Sequence, residues 1–166
     1  MKFIQLVITL LMTASFVACT PPAAPAATQD GEPTQPAVPV TGEEAEIRAL
    51  VDNFGKRLQL VSLLAPTAAQ DLQNQYAEFV SPTLLDAWVS DVSTAPGRMV
   101  SSPWPDRIEI TGLSREAPDR YVVDGFVIEM TSMEIASGEA ANKIPVQLVA
   151  EKVEGRWLIT EYMEER

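Results

Sequence analysis

Apolar and polar residues alternate with two different periods along this chain, and the period changes once. Ile47, Leu50, Val51, Phe54, Leu58 and Val61 recur on one helical stripe, which predicts a first helix over residues 42–63. Thr41-Gly-Glu-Glu44 in front of it has the form of a capping box, with Thr41 accepting from the N3 amide and Glu44 reaching back. Ala65-Pro66-Thr67 ends that helix and opens a second, whose apolar face is Leu72, Tyr76, Phe79 and Val80. Ser81-Pro82 reads as an N-cap followed by proline at N1, starting a short third helix with Leu85, Trp88 and Val89 facing inward.

After Asp91 the helical period stops. Residues 92–105 are expected to form a loop, with a short strand at 98–101. Alternating runs follow, as strands require. Ile108 and Ile110 share one face, as do Val122, Phe126, Ile128 and Met130, then Ile144, Val146, Leu148 and Ala150, and last Trp157, Ile159 and Met163. Glu154-Gly155 is a hairpin turn with glycine supplying a positive φ. Helices first and antiparallel strands afterwards predict an α+β domain, its N-terminal helices packed on one face of a curved antiparallel sheet.

The order, the size and the last hairpin, Val149 to Thr160, resemble the NTF2-like (cystatin-like cone) superfamily over roughly residues 43–164. Its final strands often read as an apolar run, an acidic-Gly turn, then basic-Trp-x-Ile. The resemblance implies a cone-shaped pocket between sheet and helices, and dimerisation through the open sheet face is common in that superfamily. It implies no single activity, because the fold hosts enzymes, ligand binders and interaction modules.

The other informative pattern lies at the start. Met-Lys is followed by an uncharged run from Phe3 to Ala18, about sixteen residues, short of the roughly twenty that span a bilayer as a helix. A positive start, an apolar middle and small residues before a break form an export signal. Phe16-Val17-Ala18-Cys19 resembles the bacterial lipobox. That resemblance implies diacylglycerol on the Cys19 thiol, cleavage before Cys19 and acylation of the new amino group. Cys19 is the single cysteine of the 166 residues, so no internal disulfide competes for it, and exported proteins seldom keep a stray thiol. Thr20 to Thr41 holds six prolines and no aromatic residue, a composition that builds a tether and not a core. The expected organisation is a signal over residues 1–18, a lipidated Cys19 with a Pro/Ala-rich tether over 19–41, and one domain over 42–166. The expected location is the cell envelope. The anchor sits on the outer face of the cytoplasmic membrane, or in the outer membrane where there are two.

Charge and composition then exclude whole classes. Of twelve basic residues the signal removes Lys2, and it removes none of the 23 acidic ones, so the chain is strongly acidic. That argues against nucleic acid and against a basic patch for anionic lipid. Histidine is absent, which removes Ser–His and Cys–His nucleophilic pairs. No phosphate loop, dinucleotide fingerprint, EF-hand spacing or zinc ligand set is present, and no cofactor or metal is expected.

Two weak candidates remain. Isomerases and dehydratases of the resembled superfamily usually rely on an Asp with His or Tyr in the cone. By alternation Asp124 points with Val122, Phe126 and Ile128 toward the apolar side, where desolvation would make it a general base. A bulge at Gly125 would turn it outward instead. Glu129, of opposite parity, is expected in solvent. In Ser101 to Arg107, Trp104 stands between two prolines with Arg98 and Arg107 on either side, a candidate ligand site for an anionic or planar group. The plainer alternative has Trp104 plugging the core and the arginines paired with acids such as Asp106. The reading favoured by these residues is a lipid-anchored, non-enzymatic binding or interaction module with an unknown protein or small-molecule partner. The alternatives are an enzyme using Asp124 alone and a structural module that forms a homodimer.

Overall fold

The computed structural model describes residues 42–165. The signal, Cys19, the tether and Thr41 of the capping box lie outside the described residues, as does Arg166. The described residues form three helices, a four-stranded sheet interrupted by one further helical turn, and two short 3-10 turns. Helix α1 spans Gly42–Gly55, α2 Ala68–Tyr76 and α3 Pro82–Ser90. Strands β1 (Trp104–Ala117), β2 (Arg120–Met130), β3 (Asn142–Val153) and β4 (Arg156–Glu164) follow in antiparallel meander order, with the short α4 (Glu134–Ser137) between β2 and β3. The helices cover one face of the sheet, which is the α+β arrangement the sequence predicts.

Helix α1 stops at Gly55, eight residues short of its predicted end. Glycine is a poor helix former, and here it is also required by packing. A Cβ at Gly55 would lie 2.7 Å from the backbone nitrogen of Ile108 on β1. Leu58 and Val61, predicted on the same stripe, are still buried, but they reach the core from a separate 3-10 turn at Leu58–Leu60 and its C-cap. Phe79 and Val80 likewise lie beyond the end of α2. They run beside β4, where the Ser81 N–H donates to the Ile159 carbonyl at 2.8 Å and the Ile159 N–H donates to the Phe79 carbonyl at 2.9 Å. Ser81 caps α3, its hydroxyl accepting from the Leu84 N–H at 3.3 Å with Pro82 at N1. The predicted strand at 98–101 is only a single parallel bridge between Ser62 and Arg98.

The sheet's inner face is set by Tyr121, Val123 and Val127, all buried. They pair across with Ile108 and Leu113 on one side and with Ile144, Leu148 and Ala150 on the other. This corrects the predicted face of β2. Val122, Asp124, Phe126 and Ile128 do share a face, but it is the outer one. Both alternating sets of β2 are apolar, so periodicity alone does not say which meets the helices. A second correction concerns β4. The register slips by one residue at Thr160, opposite Val149 and Ala150. Trp157 and Ile159 are buried inward, whereas Met163 emerges outward and exposed.

The space between helices and sheet is filled. Phe54 lies against Tyr76 edge-on at 5.1 Å, Trp88 nearly parallel at 6.3 Å and Tyr162 edge-on at 6.1 Å between ring centroids. Such pairs add about 0.5–1.5 kcal/mol each beyond their buried area. The Tyr76 hydroxyl donates to the Pro96 carbonyl at 2.9 Å. Burial, with a lesser contribution from the nearby Glu164 carboxylate, pushes the Tyr76 phenol well above its usual range, so it stays protonated. The cone that the fold resemblance implies is therefore occupied by its own aromatic side chains.

Candidate functional site

The outer face of the sheet can be built row by row from the strand register. At one end, Arg107, Ile128 and Lys143 are cross-strand neighbours. Arg107 pairs with Glu109 at 2.6 Å and Asp106 at 3.0 Å, and Lys143 reaches Glu109 at 3.2 Å. The Arg107 hydrogen bond, assisted by Lys143, holds the Glu109 carboxyl below its usual range, and Glu109 in turn raises the Arg107 guanidinium. Ile128, between these two long side chains in the row, is buried. At the other end Arg120 faces three carboxylates, those of Glu116, Glu151 and Glu161. By register its partners Glu151 and Glu161 stand opposite Leu158 and Val149, and both of those apolar residues are buried.

Between the two ion-pair networks the face is open. The rows there are Glu109–Phe126–Pro145 and Gly112–Asp124–Gln147–Met163. They contain no cation, and Gly112 contributes no side chain to cover its neighbours. A shallow cavity of about 430 Å³ results, lined by Thr111, Asp124, Phe126, Pro145, Gln147 and Met163 and bounded by Glu164 and Glu165. Its floor is apolar and its wall is polar: Gln147 Nε2 donates to Asp124 Oδ1 at 2.8 Å.

Asp124 is thus exposed on this outer face, not in a desolvated cone. The expected bulge exists but lies on the neighbouring strand. The register slips at Thr111, between Ile110 and Gly112, while β2 and β3 pair without interruption there. Gly125 is needed for that bulge, because a Cβ would meet the Glu109 carbonyl oxygen at 2.5 Å. Glu129, expected in solvent, is buried, and Asn142 Nδ2 donates to its carboxylate at 3.2 Å.

The Trp104 candidate is also rearranged. Trp104 opens strand β1, half-buried and opposite Met130, instead of standing in a loop. Arg107 is committed to Asp106 and Glu109. Arg98 is tied through its backbone, its N–H donating to the Val61 carbonyl at 2.8 Å and its carbonyl accepting from Leu63 at 3.0 Å. None of the three lines the outer cavity. Among the described residues no group of acids and cysteine is placed to hold a metal ion, and no helix is long and apolar enough to cross a membrane.

A different cluster, which no sequence signal announced, sits where α1 begins. Glu43 bridges Arg115 at 3.3 Å and Lys152 at 3.2 Å. Those two cations lie over the rings of Tyr121 and Trp157, at 5.6 and 5.2 Å from the centroids.

No protein-family model matches this chain, and no curated protein does. Among solved structures, a chain named Rd1NTF2_05, carrying five substitutions, is similar over 74% of this chain and 99% of its own length. The identity is 17% and the TM-score 0.37. The α+β architecture described above rests on this chain's own helices and sheet.

Proposed function

We propose that the protein is a lipid-anchored, extracytoplasmic interaction module of NTF2-like type, working through the outer face of its sheet and not through an internal pocket. The observation that carries this is the contrast on β2. The inner side is sealed by packed aromatics, while the outer side keeps one open strip, Phe126, Gln147, Asp124 and Met163, between two ion-pair networks. An apolar floor rimmed by the Asp124, Glu164 and Glu165 carboxylates and the Gln147 amide suits recognition of a protein surface, where a small apolar core and a polar rim are the usual anatomy. The Asp124 enzyme reading loses its support with the outward placement of that carboxylate.

The anchor supplies location. Acyl chains on Cys19 would each contribute about 0.8 kcal/mol per buried CH₂, enough for stable membrane residence when several are present. A Cys19→Ala chain is expected to lose both palmitate incorporation and signal cleavage. Normal labelling and cleavage of that variant would remove the anchor from the proposal.

The face is tested by enriching partners of the lipidated protein from its own membranes, beside a Phe126→Glu variant, with mass spectrometry as readout. A partner retained by the native chain and lost by the variant supports the outer strip, and a second copy of this chain as that partner makes the module a homodimer. Equal recovery by both chains rules out this face, and recovery of nothing by either rules out the interaction reading.

A further inference from the structure

Carboxylates are spread over the whole outer face of the sheet, and they are balanced unevenly. At one end Asp106 and Glu109 share Arg107, and Lys143 also reaches Glu109. At the other end Glu116, Glu151 and Glu161 share Arg120. Asp124, in the open strip between them, has its Oδ1 on the neutral Gln147 amide at 2.8 Å. Among the described residues that line the strip, Asp124, Glu164 and Glu165 are acids and none is a lysine or arginine. Asp124 Oδ2 is turned toward Gly112, where a Cβ would stand 3.4 Å from it. Glycine has no side chain to cover that oxygen. Beside it lies an apolar seat: Phe126 on the same strand, Pro145 opposite Phe126, and Met163, which is 56% exposed.

On the reading of the strip as the protein's interaction surface, on which this rests, we propose that its occupant is a basic protein segment. Such a segment sets a lysine or arginine against Asp124 and an apolar side chain on Phe126, Pro145 and Met163. Charge complementarity selects the class. A cation brought to Asp124 gains a charge-assisted hydrogen bond at Oδ2, next to a neutral amide. Elsewhere on this face the same cation would compete with Arg107, Lys143 or Arg120 for carboxylates that they already hold. Anionic partners, nucleic acid and acidic head groups included, would meet carboxylates there, on a chain with a net charge of -11. A second copy of this chain fits poorly for the same reason. A two-fold contact sets a patch against itself, which here opposes carboxylate to carboxylate. A small amine needs a site that encloses it, whereas this strip is shallow and suits a segment lying across it.

The strand also sets the spacing. Asp124 and Phe126 are two residues apart on β2, about 6.6 Å at roughly 3.3 Å per residue. That matches a basic and an apolar residue at i and i+2 of an extended segment, or at i and i+3 or i+4 on one face of a helix.

The probe is a library of random peptides displayed on phage, selected against the full-length chain. Phe126→Ser and Met163→Ser chains serve as two separate blocks of the apolar seat, with serine chosen so that no charge is added. The expected peptides are net positive, carry a basic residue two to four positions from an apolar one, and bind either blocked chain weakly. Their affinity for Asp124→Asn, an isosteric change at an exposed site, should fall about tenfold, and their affinity for the native chain should fall several-fold as salt rises. Peptides that need the apolar seat but are neutral or acidic, or that bind Asp124→Asn as well as the native chain, overturn the basic segment and leave the strip as the interaction surface. Peptides bound equally by the native and both blocked chains, or no enrichment at all, overturn the strip as well. Self-association of the native chain in sedimentation, lost in Phe126→Ser and Met163→Ser, assigns the strip to a second copy and overturns the basic segment.

Discussion

Phe54 and Phe126 are the same residue type on opposite sides of one sheet, and their surroundings differ completely. Phe54 is fully buried among Tyr76, Phe79, Trp88 and Tyr162. Phe126 is half-buried on an open strip whose neighbours are Pro145, Gln147 and Asp124. The inner face achieves closure by matching shapes of large rings. On the outer face the buried residues Ile128, Val149 and Leu158 lie within the rows that hold the Arg107–Lys143 and Arg120 ion-pair networks. Ring packing seals without gaps, whereas an arginine covers only what its acidic partners position it over. The strip lies where no such cation is present.

The comparison can be broken most severely from the inside. Phe54→Ala should cost about 3–5 kcal/mol in urea unfolding, with a fall in the denaturation midpoint, because several aromatic neighbours lose a shared partner and cannot all collapse into the space. Phe126→Ala should cost less than half as much, and equal losses would show that the two faces are not different in kind. Gly125→Ala comes next. Its Cβ collides with the Glu109 carbonyl oxygen, so the bulge must move, at about 1–3 kcal/mol. The same variant should weaken partner recovery, since Asp124 and Phe126 flank the displaced residue. Tyr76→Phe should cost about 1–2 kcal/mol by leaving the buried Pro96 carbonyl unpaired, measured as a lowered melting temperature. The smallest effect belongs to the outer networks. Glu109 has a depressed pKa, so its contribution is present above the unfolded carboxyl value of about 4.3 and disappears as pH falls through the folded value. Glu109 is more than a third exposed, so the contribution at pH 7 should stay under about 1 kcal/mol. The gap in melting temperature between the native chain and Glu109→Gln should narrow as pH drops below about 4.3, and a constant gap would show that the network is not the cause.

Much of the fold was readable in the residue pattern. Ser81-Pro82 announces α3 because its cap chemistry is local, and Ile144, Val146, Leu148 and Ala150 give the inner face of β3 because their outward neighbours are more polar. The pattern predicts a longer α1 than forms, because Gly55, Lys56 and Arg57 do not interrupt the stripe that continues at Leu58. The helix ends at Gly55, whose backbone lies against Ile108, a residue far away in sequence. The face of β2 was misread because Val122–Phe126–Ile128 and Tyr121–Val123–Val127 are equally apolar, and only the position of the helices chooses between them. Met163 was misplaced by one slipped residue at Thr160, and no composition signal marks such a slip. The two equally apolar sets of β2 also hide the candidate strip, because alternation puts Phe126 inward and Gln147 becomes notable only when Asp124 is seen beside it.

The Glu43 clasp fixes the direction in which force travels through the molecule. Any pull on the chain ahead of Gly42 arrives at one residue, which is held to β1 through Arg115 and to β3 through Lys152. Such a pull would be shared between two strands at the end of the sheet that carries the β1–β2 and β3–β4 turns. The aromatic interior and the open strip at Phe126 lie beyond that junction. A pull applied ahead of Gly42 would therefore meet surface ion pairs first, and the packed rings behind them last.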